Sequence, residues 1–180
     1  LIIIVFGVVF YSSYDKGMMA YEKGDYETAL SEWEPRAEKG DHSAQNSLGW
    51  LFDNGYGVTQ DFAVAVKWYQ LSAEQGNIHA QGNLASKYAH GEGVPQDYSV
   101  ALKWYQAAAE QEGAIAQYNM GNMYRNGQGV PQNYDTALKL YKRAAEQDLA
   151  SAQLNIGFMY FEGEAVSQNY EIALHWFKLA

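Results

Sequence analysis

The chain contains no cysteine. Disulfides, a thiolate nucleophile and a lipid-bearing cysteine are therefore excluded within these residues, and the redox compartment is left open. Basic residues are scarce as well: Lys+Arg number 12 against 21 Asp+Glu, for a net charge of −9. An acidic chain without a basic stripe repels phosphate backbones, so nucleic acid is not an expected partner. A continuous membrane span of ~20 apolar residues is missing too. The run LIIIVFGVVF at residues 1–10 is too short for one. It fits the core of a signal peptide, with cleavage near Ser12 or Ser13, although the usual small residues at the cleavage positions are not both present. Residues 1–13 are accordingly read as a signal-peptide remnant, with a truncated anchor or a buried helix as the alternative. Export to the periplasm or beyond is expected, membrane contact only through this segment if it is uncleaved.

Motifs of catalysis are equally sparse. His42, His79, His90 and His175 fall at unlike places, without a His-x-x-x-His pair. No serine stands in a Gly-x-Ser-x-Gly turn. Gly91-Glu92-Gly93-Val94-Pro95-Gln96 lacks the third glycine of a dinucleotide loop and the lysine of a P-loop. Glu162-x-Glu164 sits in a corner and reads as solvated. No catalytic, cofactor-binding or metal-ligating residue is assigned, and no cofactor is expected.

What the chain does have is repetition. The phrase GEGVPQDYSVALKWYQAAAEQ from Gly91 recurs from Gly55, Gly127 and Gly163, each copy 36 residues after the last. Ala44, Ala80, Ala116 and Ala152 each open an Ala-Gln pair on the same beat. A fixed period of roughly 20–50 residues marks a stacked array. In each period two stretches carry apolar residues at i, i+3, i+4 and i+7, the spacing of one helical face. Ala116, Met120, Met123 and Tyr124 mark the first stretch of one unit, and Tyr134, Ala137, Leu138, Tyr141, Ala144 and Ala145 its second. Glycines close the first helix, Pro95 and Pro131 forbid its continuation, and Asp61, Asp97, Asn133 and Asn169 stand as N-caps of the second. Each unit is thus a helix pair, and the glycine turn is a corner. Val58, Val94, Val130 and Val166 are expected to pin that corner. Ala65, Ala101, Ala137 and Ala173, with Gly49, Ala85, Gly121 and Gly157, let helices approach closely. Trp68, Trp104, Leu140 and Trp176, with Tyr69, Tyr105, Tyr141 and Phe177, are packing aromatics and aliphatics. Lys67, Lys103 and Lys139, with Glu74, Glu110 and Glu146, form a solvated outer ladder.

Ala44-Gln45-x-x-Leu48-Gly49, the Gly-x-Gly-Val-x-Gln-Asp corner, Ala65-Val66-Lys67-Trp68-Tyr69 and Ala73-Glu74-x-Gly76 resemble the Sel-one-like repeat (SLR) family, relatives of tetratricopeptide repeats with a longer corner. The resemblance covers residues 44–180, with repeats at 44–79, 80–115, 116–151 and a truncated one at 152–180. Further repeats are expected beyond Ala180. It implies an all-α, right-handed α-solenoid of stacked antiparallel helix pairs that acts as a non-enzymatic protein-interaction scaffold or adaptor. It departs from the pattern at Ala165, Ala85, Glu112 and Asp148, which weaken cap geometry locally. Some cysteine-rich members have been linked to β-lactam binding or hydrolysis, and a secreted hydrolase or binder acting on cell-wall material or β-lactams is the alternative, though their cysteine pairs find no match here. Residues 15–43 resemble a plain tetratricopeptide hairpin that caps the array. Pro35 within its second helix is expected to kink or break it.

Residues that escape the repeat mark the candidate binding face. Asn46, Trp50 and Asp53; Gly82, Ser86 and Ala89; Tyr118, Asn122 and Arg125; and Leu154, Phe158 and Phe161 each stand at i, i+4 and i+7 of a first helix. Because this face is free of the repeat constraint, it is read as the concave groove for a protein or peptide rather than the packing face. Sideways packing against the next helix is the alternative, strongest for Phe161.

Overall fold

A computed structural model describes residues 3–5, 8–10 and 13–180. The signal-peptide reading of residues 1–13 therefore falls in part outside the described residues. Within that stretch, β1 (Ile3–Val5) and β2 (Val8–Phe10) pair antiparallel, Ile4 opposite Val9. Ten helices follow among the described residues: α1 (Ser13–Glu22), α2 (Tyr26–Glu38), α3 (His42–Asn54), α4 (Phe62–Glu74), α5 (Ile78–His90), α6 (Tyr98–Glu110), α7 (Ala114–Asn126), α8 (Tyr134–Ala145), α9 (Ala150–Glu162) and α10 (Tyr170–Leu179). The chain divides into two compact units, residues 1–87 with 91–95, and residues 88–90 with 96–180.

The caps follow the sequence pattern. Gly55, Gly91, Gly127 and Gly163 close α3, α5, α7 and α9 in the left-handed conformation. Asp61, Asp97, Asn133 and Asn169 accept backbone N–H bonds at the starts of α4, α6, α8 and α10. The corner glutamines add a tie that sequence reasoning did not see. Gln60, Gln96, Gln132 and Gln168 each donate from Nε2 to the first-helix carbonyl seven residues back, all at 2.8 Å. The corner also lies against the preceding helix pair. A Cβ on Gly93, which has a φ of +74°, would come within 2.4 Å of the Phe62 carbonyl. Gly57 and Gly129 meet Tyr26 and Tyr98 in the same way. The glycine is needed both for its backbone angle and for this contact. Ala165 keeps a positive φ without being glycine.

In the first unit α1 packs on α2, α2 on α3 and α3 on α4. Trp33, Leu48, Leu51, Ala29, Ala37 and Ala44 form the centre of its core. Pro35 does not break α2, which runs unbroken from Tyr26 to Glu38. The proline sits near the helix end, so its missing N–H removes one bond and disturbs little beyond the last turn. In the second unit α6 packs on α7, α7 on α8, α8 on α9 and α9 on α10. Its core gathers Ala137, Tyr141, Ala144, Ala152, Ile156 and Met159. Both units use the same close approach, because a Cβ on Gly49 or Gly121 would strike the ring of Tyr69 or Tyr141 at 2.5 Å. Lys67, Lys103, Lys139, Glu74, Glu110 and Glu146 are exposed, as a solvated ladder requires.

Candidate functional site

The twelve residues singled out on the first helices behave differently from one another, and two of them, Gly82 and Ala89, are half-buried small residues. In the first unit, Trp50 is 39% exposed, with its indole N–H donating to the Tyr21 hydroxyl at 2.7 Å. Asn46 accepts from Asn83 on α5 at 3.3 Å. Asp53 takes the Tyr69 hydroxyl at 3.2 Å and the Lys87 ammonium at 2.5 Å. Ser86 is half-buried. In the second unit, Tyr118 is half-buried and tilts onto Tyr141, with ring centroids 5.9 Å apart. Asn122 accepts from the Tyr141 hydroxyl at 2.7 Å and from Asn155 at 3.1 Å. Arg125 donates to Glu164 at 2.7 Å and to Glu162 at 3.1 Å. Leu154, Phe158 and Phe161 on α9 are exposed, at 41%, 40% and 49%.

This variable face therefore serves neighbouring repeats as well as solvent. Asn46, Asp53, Asn122 and Arg125 all reach residues 33–39 positions later, one repeat onward. Glu162 and Glu164, read from sequence as solvated, are Arg125's partners. Two carboxylates close to one guanidinium are held there by charge and hydrogen bonding. The Glu164 hydrogen bond raises the Arg125 pKa further, against the opposing effect of burial.

Sequence reasoning missed Lys87, which is buried, with Nζ 2.5 Å from Asp53 and 2.6 Å from Glu92, and 4.7 Å over the Phe62 ring. The signal was available: Lys87 occupies the repeat position of Leu51, Met123 and Met159, all buried. A charge in an apolar column must be paired to be buried. The glutamines of the Ala-Gln pairs were also unassigned. Gln45, Gln81 and Gln117 are buried and donate to the carbonyls of Ala37, Ala73 and Ala109 at the end of the preceding helix.

Burial foremost, then the Asp53 charge and hydrogen bond, raises the Tyr69 phenol far above its usual range. Burial pushes the Tyr141 phenol up to about 12, with the Asn155 hydrogen bond and the Arg125 charge opposing it. Both hydroxyls are fixed donors at neutral pH. Among the described residues no cluster of His, Asp or Glu could hold a metal ion, and no helix is long and apolar enough to cross a membrane.

A sequence model of the Sel1 repeat matches residues 42–77, 78–112, 114–149 and 150–180. Among solved structures the chain is similar to a Sel1 repeat protein from Oxalobacter formigenes, with 34% identity and a TM-score of 0.85, over 94% of this chain and 68% of that one. It is also similar to c5321, a protective antigen of uropathogenic Escherichia coli strains displaying an SLR fold. Here the identity is 34% and the TM-score 0.83, over 93% of this chain and 37% of that one. The MamA protein, at 20% identity and a TM-score of 0.59 over 93% of this chain and 87% of its own, shares the fold alone. No curated protein matches the sequence. The corner glycines, the buried Ala-Gln pairs and the ring-over-glycine contacts recur in step with the matched segments, and the chain belongs to the Sel1 repeat family.

Proposed function

We propose that this Sel1 repeat chain is a non-enzymatic adaptor that binds a protein or peptide on the exposed face of its first helices. The observation that carries the reading is α9, where Leu154, Phe158 and Phe161 form an apolar stripe at i, i+4 and i+7, 40–49% exposed. Rigid aromatic side chains of this kind are the usual anchors of interfaces. One repeat earlier the same face is partly taken up by the next repeat of the chain, through Asn122 and Arg125. Trp50 is a second anchor in the first unit, oriented by Tyr21. Tyr118 contributes as a half-buried support rather than a free anchor. The apolar run at residues 1–10 supports export, which mass spectrometry of the mature N-terminus tests.

The test of binding is affinity capture followed by calorimetry with the purified partner. Leu154, Phe158 and Phe161 changed together to alanine should weaken binding about tenfold or more. Folding should fall by about 2 kcal/mol, because the groups are partly exposed but Phe158 and Phe161 also lean on Phe177 and Tyr170. Undiminished affinity in a folded triple variant would remove this face as the binding surface.

A further inference from the structure

We propose that Asn126 and Gly127 form a self-modifying site, at which the second unit converts its own asparagine to isoaspartate as the protein ages. Glycine follows asparagine twice in the chain, at Asn54-Gly55 and Asn126-Gly127, where the other two corners have His90 and Glu162. Both pairs close a first helix, α3 or α7. In each the glycine is left-handed and its N–H is bonded to the carbonyl four residues back, Leu51 or Met123. Both asparagines are exposed. Exposure and backbone therefore do not separate the two pairs. Side-chain hydrogen bonding does.

Asn54 is tied: its Nδ2 donates to the Trp50 carbonyl at 2.9 Å, which holds the carboxamide back along α3. The Asn126 carboxamide makes no hydrogen bond among the described residues. It borders a recess shared with Tyr98, Asn119 and Gln128. It is therefore at liberty to turn toward the Gly127 nitrogen, a chain neighbour and thus always at high effective concentration. Glycine has no side chain to shield that nitrogen. The bond that must open first, Gly127 N–H to the Met123 carbonyl, is at the end of its helix, and helix ends open at little cost.

The chemistry needs water alone. Once a base in the solvent takes the Gly127 N–H proton, the nitrogen attacks the Asn126 Cγ. A new C–N bond closes a cyclic imide, the Cγ–Nδ2 bond breaks, and ammonia leaves with a proton returned by the solvent. Water then opens the imide, with no oxidation or reduction. Attack at Cγ yields aspartate, whereas attack at the main-chain carbonyl yields isoaspartate, whose backbone runs through Cβ and Cγ. Either product adds one negative charge next to Arg125. Isoaspartate also lengthens the backbone by one carbon between Gly127 and Arg125, whose carbonyl takes the Gln132 amide at 2.8 Å. The corner after α7 should loosen as it forms.

The experiment incubates the purified whole chain in mildly alkaline buffer, with and without urea. Mass spectrometry with electron-based fragmentation then counts asparagine, aspartate and isoaspartate at both sites. A hydrogen bond of ordinary net strength is worth about fivefold in an equilibrium. In the folded protein Asn126 should thus convert about fivefold faster than Asn54 or more, mostly to isoaspartate. Urea should bring the two rates together. Aged chains, separated by charge, should show faster hydrogen exchange at the end of α7, whereas N126Q carried through the same incubation should not. Four results overturn the site: equal conversion of the two asparagines in the folded chain, faster conversion of Asn54, no conversion of Asn126 until urea is added, or aspartate as the only product. Unchanged exchange in aged chains overturns the loosening of the corner. If N126Q misfolds by circular dichroism, fresh and aged parent chains carry the comparison. None of these outcomes touches the adaptor reading, which the α9 variant tests separately.

Discussion

The two units repeat the same 36-residue plan with different local chemistry. Where first helices begin, the first unit places Asp41 and Asn77, whose side chains accept the N–H groups of α3 and α5. At the same repeat positions the second unit has Gly113 and Leu149, which make no side-chain cap. One residue earlier, Gly40 and Gly76 take a left-handed backbone freely, while Glu112 and Asp148 adopt it at φ of 61° and 59°. Charge is reversed as well. Asp53 in the first unit meets a later lysine, Lys87, whereas Arg125, at the equivalent position in the second, meets later acids. The difference teaches that the packing letters define a repeat, and the variable letters define which repeat follows it. Opposite charges at one position make the two junctions non-interchangeable.

The largest expected effect comes from breaking the more deeply buried junction. Lys87→Ala leaves Asp53 buried without its cation and should destabilise by about 3 kcal/mol, as buried pairs do when one partner is removed. Arg125→Ala acts on a more exposed network and should cost about 1.5 kcal/mol. Urea unfolding of both variants tests the order, and an equal loss would mean burial does not distinguish the junctions.

Next comes the cap. Burial raises the Asp41 pKa, but the Ala44 N–H, the Arg36 guanidinium and the Ser43 N–H together hold it below the usual carboxylate range. A depressed folded pKa contributes stability that is present above the unfolded value, near 3.9, and lost as pH falls through the folded one. Asp41→Ala should therefore cost about 1 kcal/mol at neutral pH. Melting curves of variant and parent should converge as the pH drops below about 4. A gap that persists into acid would assign the loss to packing.

The smallest effect sharpens the comparison by repair. Asp148→Gly should stabilise the second unit by about 0.5 kcal/mol, since relief of the left-handed backbone exceeds the added unfolded-state entropy. Hydrogen exchange resolved along α8 and α9 would register it as slower opening. Gly40→Asp, the converse change in the first unit, should move stability the other way.

Much of the molecule was legible in its letters. The glycine ends of first helices, the Asp and Asn caps of second helices and the small residues beneath the rings of Tyr69 and Tyr141 follow from spacing and local backbone chemistry. These contacts close within one helix pair, and repetition displayed each of them several times. Pro35 was misjudged because its penalty depends on the turn it occupies, and α2 has little helix left beyond it. The face chosen for binding was legible as a set of positions on one side of each first helix. Its division of labour was not.

That Leu154, Phe158 and Phe161 face solvent, while Asn122 and Arg125 spend their polar groups on Asn155, Glu162 and Glu164, was decided by tertiary structure. Such pairs join residues 33–39 positions apart, across a stacking contact whose register no local propensity encodes. The period determined helices, corners and a repeating core, because local hydrogen bonding and apolar burial act alike in every copy. Only the stacked structure could decide which variable side chain finds a partner, because a buried charge or amide is satisfied by whatever lies within about 3 Å of it in space.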